Sequence, residues 1–196
     1  MKNLTRFLFI ASLTLGLLAP ARAAVETYAI DPVHSTIEFS LRHIISRFTG
    51  SFTKVSGTIA VDRANLENSS VEAVIDVASL NTNSDKRNND LKGPNYFDLA
   101  KYTTMTFKST AWKKTGEDTF DVTGDLAIKG VTKPVVLKVK LLGFSPGMKP
   151  GSMLSGWEVT TTIHKSDFGV TGPAMMGKVL GDDVAISIGV EADLKK

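Results

Sequence analysis

The stretch "IEFSLRHIISRFTGSF", residues 37–52, carries two patterns in succession. Ile37, Phe39 and Leu41 alternate with Glu38, Ser40 and Arg42, which makes one face apolar and the other polar. Period two marks a strand, because successive side chains of an extended chain point to opposite sides. Ile44, Ile45, Phe48 and Phe52 then fall outside that alternation. An apolar strand face can fill a solid core or line a hollow, and the fold turns on which it does.

The same period recurs along the chain. It runs through Val71, Ala73, Ile75 and Val77, then Met105 and Phe107, then Phe120, Val122, Leu126 and Ile128. Val135, Leu137, Val139 and Leu141 follow, then Trp157, Val159, Thr161 and Ile163, and last Val184, Ile186, Ile188 and Val190. These sets are rich in β-branched and aromatic residues, which suit a pleated, half-buried surface. Turn chemistry separates them: "TGS" (49–51), "KTGED" (114–118), "IKGVTKP" (128–134) and "SPGMKPGS" (145–152). Spacings this short favour antiparallel hairpins, since parallel pairs need a crossover of about a dozen residues.

Two segments depart from the pattern. "SDKRNNDLKGPNYFD" (84–98) is polar, and Ser84 is placed to cap a short helix that ends at Gly93-Pro94. "GVTGPAMMGKVLGDD" (169–183) is irregular and precedes the final strand. About eight strands with one apolar face each must pair or close to hide their edges. A two-layer sandwich and an up-and-down barrel both fit. A barrel of about eight strands either fills its interior with side chains or holds one small ligand.

The first residues are read separately. Lys2 and Arg6 precede the apolar run "FLFIASLTLGLLA" (7–19), Pro20 ends it, and Ala21-Arg22-Ala23 offers small residues where a signal peptidase reads. This predicts a secretory signal over residues 1–23, cleaved to leave one domain over 24–196 in the periplasm. The run is short of the roughly 20 apolar residues that span a bilayer. The signal contains three basic residues and no acid, so residues 24–196 carry 20 basic and 20 acidic side chains. That balance makes no electrostatic case for nucleic acid. The chain has no cysteine, which excludes thiol catalysis, thiolate metal sites and haem attachment through C-x-x-C-H.

Signs of catalysis are missing. The three histidines, His34, His43 and His164, lack metal-ligand spacing, and no H-E-x-x-H, nucleophile elbow, phosphate loop or dinucleotide fingerprint occurs. His43 shares the face of Ile37, Phe39 and Leu41. There it either packs as a satisfied core residue or meets a polar head group. In "HKSDFGV" (164–170), Ser166 and Asp167 can bond nearby backbone amides, so the segment reads as a corner joining strand to loop. No metal and no cofactor is expected.

Taken in order, "YAIDPVHSTIEFSLRH" (28–43), "GSFTKVSGTIAVD" (50–62), "NYFDLAKYTTMTFKS" (95–109), "GDLAIKGVTKPV" (124–135), "HKSDFGV" (164–170) and "LGDDVAISIGVEA" (180–192) resemble the YceI-like family of exported bacterial proteins. The resemblance covers residues 28–194. It implies an all-β fold: an eight-stranded antiparallel lipocalin-like β-barrel with one short helix in a connecting segment. It implies a non-enzymatic carrier whose pore holds a long amphipathic lipid, such as a polyisoprenoid, an isoprenoid quinone or a fatty amide. It also allows a homodimer and transient contact with a membrane or a membrane protein.

On this resemblance Ile37, Phe39, Leu41, Met105 and Phe107 line the pore, with Phe48, Phe52, Phe97 and Phe168 as further ligand contacts. His43, Arg87 and Asp167 are the polar candidates for the head group. The family's Arg-Asp-x-His-Leu reads Arg87-Asn88-Asn89-Asp90-Leu91 here, and a family Arg is replaced by Lys165. Lysine keeps the charge but not the planar fork. Two other readings remain: an envelope protein whose barrel is filled and acts through protein contacts, and an enzyme on an isoprenoid lipid using His43, Arg87 or Asp167.

Overall fold

The structure, a computed structural model, describes residues 24–195. The expected signal over 1–23 lies outside the described residues. The strands are β1 (Glu26–Ile30), β2 (Thr36–His43), β3 (Ser46–Phe52), β4 (Val55–Val61), β5 (Ser70–Asp76), β6 (Leu80–Asn81), β7 (Thr104–Lys114), β8 (Thr119–Ile128), β9 (Val131–Pro146), β10 (Met153–His164) and β11 (Leu180–Leu194). One α-helix, α1 (Asp85–Lys92), interrupts them between β6 and β7.

Every pairing is antiparallel, and β1-β4-β5-β7-β8-β9-β10-β11 close into a ring of eight through β1 and β11. β2, β3 and β6 prolong three of these staves. β11 pairs with β1 at Ala192 and Leu194 and with β2 from Leu180 to Gly189 along the same edge. Closure pairs each of these eight ring strands on both sides, which settles barrel against sandwich. Alternation resumes after the turn at Ile44-Ile45, with Phe48, Gly50 and Phe52 opposite Leu41, Phe39 and Ile37.

The meander sends its connections to two different ends. The two ends of the described chain and the loops around 62–69, 115–118 and 147–152 share one end. That end is plugged by rings. Trp112 stacks edge-on to Trp157 at 5.7 Å and lies 5.8 Å from Phe120, while Phe144 bridges Trp157 and Tyr28. Arg63 sits 4.1 Å over Phe144 and donates to the Tyr28 hydroxyl and to Glu26. Edge-to-face pairs and a cation over a ring add stability beyond area burial, so this end is firmly shut.

The connection 82–103, which includes α1, spans the other end. Ser84 caps the helix by accepting from the Arg87 amide, and Gly93 ends it, as the sequence predicts. Leu91 is its one buried residue, so the helix rests on the barrel by a single apolar contact and leaves its polar face outward.

Candidate functional site

The barrel is not filled. A cavity of about 220 Å³ runs through its interior, lined by apolar side chains from every stave, with Tyr96, Thr161 and Lys165 as the polar contributors. A single water needs roughly 10–15 Å³ by this measure, and packed interiors hold few voids larger than one water. An apolar space this large calls for an apolar occupant. Two pore rings show how the space is shaped. A Cβ on Gly50 would stand 2.4 Å from Phe39 Cζ, and a Cβ on Gly124 would stand 2.4 Å from Phe107 Cζ. Each ring lies against the bare backbone of the neighbouring strand, which leaves the axis open.

At the helix end a polar cleft of about 390 Å³ adjoins the hollow. Phe48, Leu91, Tyr96 and Leu180 line both spaces and form the rim between them. Beyond the rim come His43, Ser46, Ser84, Lys86, Arg87 and Asp90. Arg87 is fixed rather than free. Its Nε donates to Thr82 Oγ1 at 3.0 Å and its Nη2 to the Thr82 carbonyl at 2.7 Å, while the guanidinium lies 5.0 Å from the Phe48 ring. Asn88 Oδ1 accepts from the Thr82 amide and hydroxyl, so Arg87-Asn88 stands as one network with Thr82. Burial, with the Asp90 charge adding to it, pushes the Tyr96 phenol above its ordinary value, which keeps a neutral donor at the rim.

The residues expected from sequence separate into groups. Ile37, Phe39, Leu41, Phe48, Phe52, Phe97, Met105, Phe107 and Phe168 line the hollow. His43 and Arg87 line the cleft. Asp167 is exposed on a short 3-10 turn (Lys165–Phe168) and lines neither space. In the same turn, Ser166 donates to Asp182 from its amide and its hydroxyl and ties the corner to β11. Burial raises the Asp182 pKa, but these two hydrogen bonds and Lys165 at 3.7 Å outweigh it and hold the carboxyl below its ordinary range. Lys165, at the edge of the hollow, thus meets a ready anion.

Sequence reasoning passed over Leu91, Tyr96, Trp112 and Leu180. Trp112 lies inward because the register shifts between Ser109 and Ala111, which reverses the parity set by Met105 and Phe107. Leu91 and Tyr96 are single apolar residues in a polar segment and carry no period. Asp31, His34 and Glu191 bring ligand atoms within 4.8 Å of one another on the surface between β1 and β2. Asp31 there is already engaged by the His34 ring at 2.8 Å and by the Val33 and His34 amides.

Comparison with known proteins gives a consistent picture. The YceI-like domain family matches residues 28–192. A UPF0312 protein of Pseudomonas savastanoi pv. phaseolicola is 37% identical over 182 residues, covering 90% of this chain and 94% of its own. The crystal structure of a Campylobacter jejuni YceI protein, 32% identical, superposes with a TM-score of 0.69 over 78% of this chain and 88% of its own. A polyisoprenoid binding domain from Saccharophagus degradans, implicated in plant cell wall breakdown, shares the fold at 19% identity. Its TM-score is 0.66 over 86% of this chain and 98% of its own.

Proposed function

The chain belongs to the YceI-like family, and from that premise we propose that it is a periplasmic carrier for one long-chain amphipathic lipid of polyisoprenoid type. The observation that carries the reading is the apolar hollow, closed by rings at one end and adjoined at the other by a cleft of charged and polar groups. The tail lies in the hollow, where each buried CH₂ contributes roughly 0.8 kcal/mol without any specific contact. The head group lies in the cleft against Lys86, Arg87, His43 and Tyr96. Arg87 is oriented before the ligand arrives, which lowers the cost of ordering it on binding.

Binding without turnover is the activity proposed. The ionisable side chains lining the hollow are Tyr96 and Lys165, and Lys165 is paired with Asp182. The charged head, apolar run and A-x-A exit of residues 1–23 support export to the periplasm.

Ala73 lines the hollow between Val71 and Ile75, so Ala73→Trp tests the reading. In a hollow, the ring occupies space the tail would use. Organic extracts of the purified protein, read by mass spectrometry, then lose their lipid, while urea unfolding of delipidated protein changes by less than about 1 kcal/mol. Overpacking of roughly 1–3 kcal/mol, with a parent that carries no lipid, would refute a carrier.

A further inference from the structure

His43 pairs with Ser46, so the β2–β3 connection is a two-residue turn, Ile44-Ile45. Turns this tight put positive φ on the first central residue and favour glycine, asparagine or aspartate there. Ile44 has φ 51°. Among the described residues four non-glycine positions have positive φ (Ile44, Asn83, Asp98 and Lys129), and Ile44 alone is β-branched. Such a residue in that region is strained and persists only where something else holds or selects it. Folding does not repay the strain, because Ile44 is 55% exposed and Ile45 99% exposed.

A second disfavoured choice sits beside the first. Arg42 and Arg47 face each other directly across the β2–β3 ladder, and both are exposed. Like charges in that position repel. Among the described residues neither arginine forms an ion pair; Arg42 donates to the Ile44 carbonyl, and Arg47 to Ser40. On α1, Lys86, Arg87 and Lys92 are interspersed with Asp85 and Asp90, so the hairpin arginines add to a small positive excess at this end.

Position joins these facts. His43 and Ser46, which flank the turn, line the cleft that adjoins the hollow. The Ile44 amide donates to the Val179 carbonyl, which sets the turn beside the 3-10 segment Ala174–Lys178. Within that segment Met175 is 75% exposed, and Met176 lines the cleft. The mouth therefore has a rim of protruding aliphatic side chains with a cationic collar behind it.

We infer that the Ile44-Ile45 tip docks the mouth of the barrel onto an anionic lipid bilayer, with the isoleucines in the acyl boundary and Arg42 and Arg47 at the head groups. This inference rests on the carrier reading above, because a lipid that cannot cross water must enter from a membrane. Among the described residues no helix is long and apolar enough to cross a membrane, and the contact inferred is of the turn tip with the bilayer surface. A bilayer there offsets both disfavoured features of the free protein: burial of the isoleucines compensates the strained turn, and the arginines gain anions.

The test is flotation of the purified protein with phosphatidylcholine vesicles, with and without phosphatidylglycerol, at low and high salt. The wild type floats with the anionic vesicles, and less so as salt rises. Ile44→Gly with Ile45→Asn installs the glycine-first sequence that a two-residue turn with positive φ at its first central position favours, so this variant is at least as stable to urea. It nevertheless partitions at least tenfold less, from the loss of two buried aliphatic side chains. Arg42→Gln with Arg47→Gln loses the preference for anionic vesicles, about fivefold per cation. A wild type that ignores both vesicles, or a turn variant that floats equally well, overturns the inference. Lipid in organic extracts of the wild type is scored in parallel: lipid without flotation leaves the carrier reading standing and the docking surface refuted. Flotation without lipid refutes the carrier and leaves the surface.

Discussion

Phe39 lies against Gly50 across the β2–β3 ladder, with its Cζ 2.4 Å from where a Cβ on residue 50 would stand. The volume of the hollow depends on that contact. In Gly50→Ala the new methyl group displaces the ring, and the free space is inward. Stability falls by about 1 kcal/mol, the low end for overpacking, because the ring has somewhere to go. Bound lipid falls further than stability does. Urea unfolding and mass spectrometry of the extract separate the two effects.

Among the described residues, Trp112 Nε1 is the buried side-chain polar atom that has no hydrogen-bond partner. Its neighbour Trp157 is satisfied by donating to Ser155 Oγ. A buried donor without an acceptor costs roughly 1–3 kcal/mol. Trp112→Phe removes that cost together with some packing, so the ligand-free protein changes by less than about 1 kcal/mol. Trp157→Phe strands Ser155 and loses more. Chemical denaturation of both variants checks the order.

The Asp31–His34 pair gives stability a pH window. The His34 ring donates to Asp31, which lowers the Asp31 pKa, and the Asp31 carboxylate raises the His34 pKa. The histidine contribution is complete below its ordinary value of about 6.5 and is lost as pH rises through its higher folded value. The carboxylate contribution is complete above about 3.9 and is lost as pH falls through its lower folded value. The stability difference between wild type and His34→Gln is therefore greatest between these two limits and fades on both sides. Both groups are on the surface, so salt reduces the whole effect. Melting curves across pH at two salt concentrations measure it.

β11 pairs with β10 on one edge and with both β1 and β2 on the other. Deleting residues 185–196 removes most of three ladders and opens the ring. The truncated protein loses cooperative unfolding and aggregates through the exposed edges of β10 and β2. Circular dichroism with size-exclusion chromatography distinguishes this from a trimmed but intact barrel.

The barrel was legible where side chains alternate without interruption, as in Ile37 to Leu41 and Val184 to Val190. It was less legible where the backbone departs from a regular ladder. β4 shows Val55, Ile59 and Val61 inward, but Gly57 leaves a gap in the pattern. The bulge before Trp112 reverses parity, and no residue type announces it. Ile44 and Ile45 read as irregular apolar residues because nothing in Ile-Ile signals a turn; pairing on both sides makes it one. Of the polar candidates, His43 and Arg87 reach the cleft because β2 ends and α1 begins there. Asp167 does not, since its turn presents Phe168 inward and the carboxylate to solvent. Three-dimensional convergence of separate loops, which makes the cleft, has no sequence period to reveal it.

The plugged end also holds the two ends of the described chain. Tyr28 pairs with Leu194, and the Lys195 amide donates to the Thr27 carbonyl at 2.7 Å. Residues 26 and 195 can thus be joined by a short linker and the chain reopened at Met148, which is fully exposed in the β9–β10 loop at the same end. Such a permutant keeps every ladder. Either arrangement also lets the barrel be tethered by its base to a solid support, upright like a cup, with its opening free for exchange.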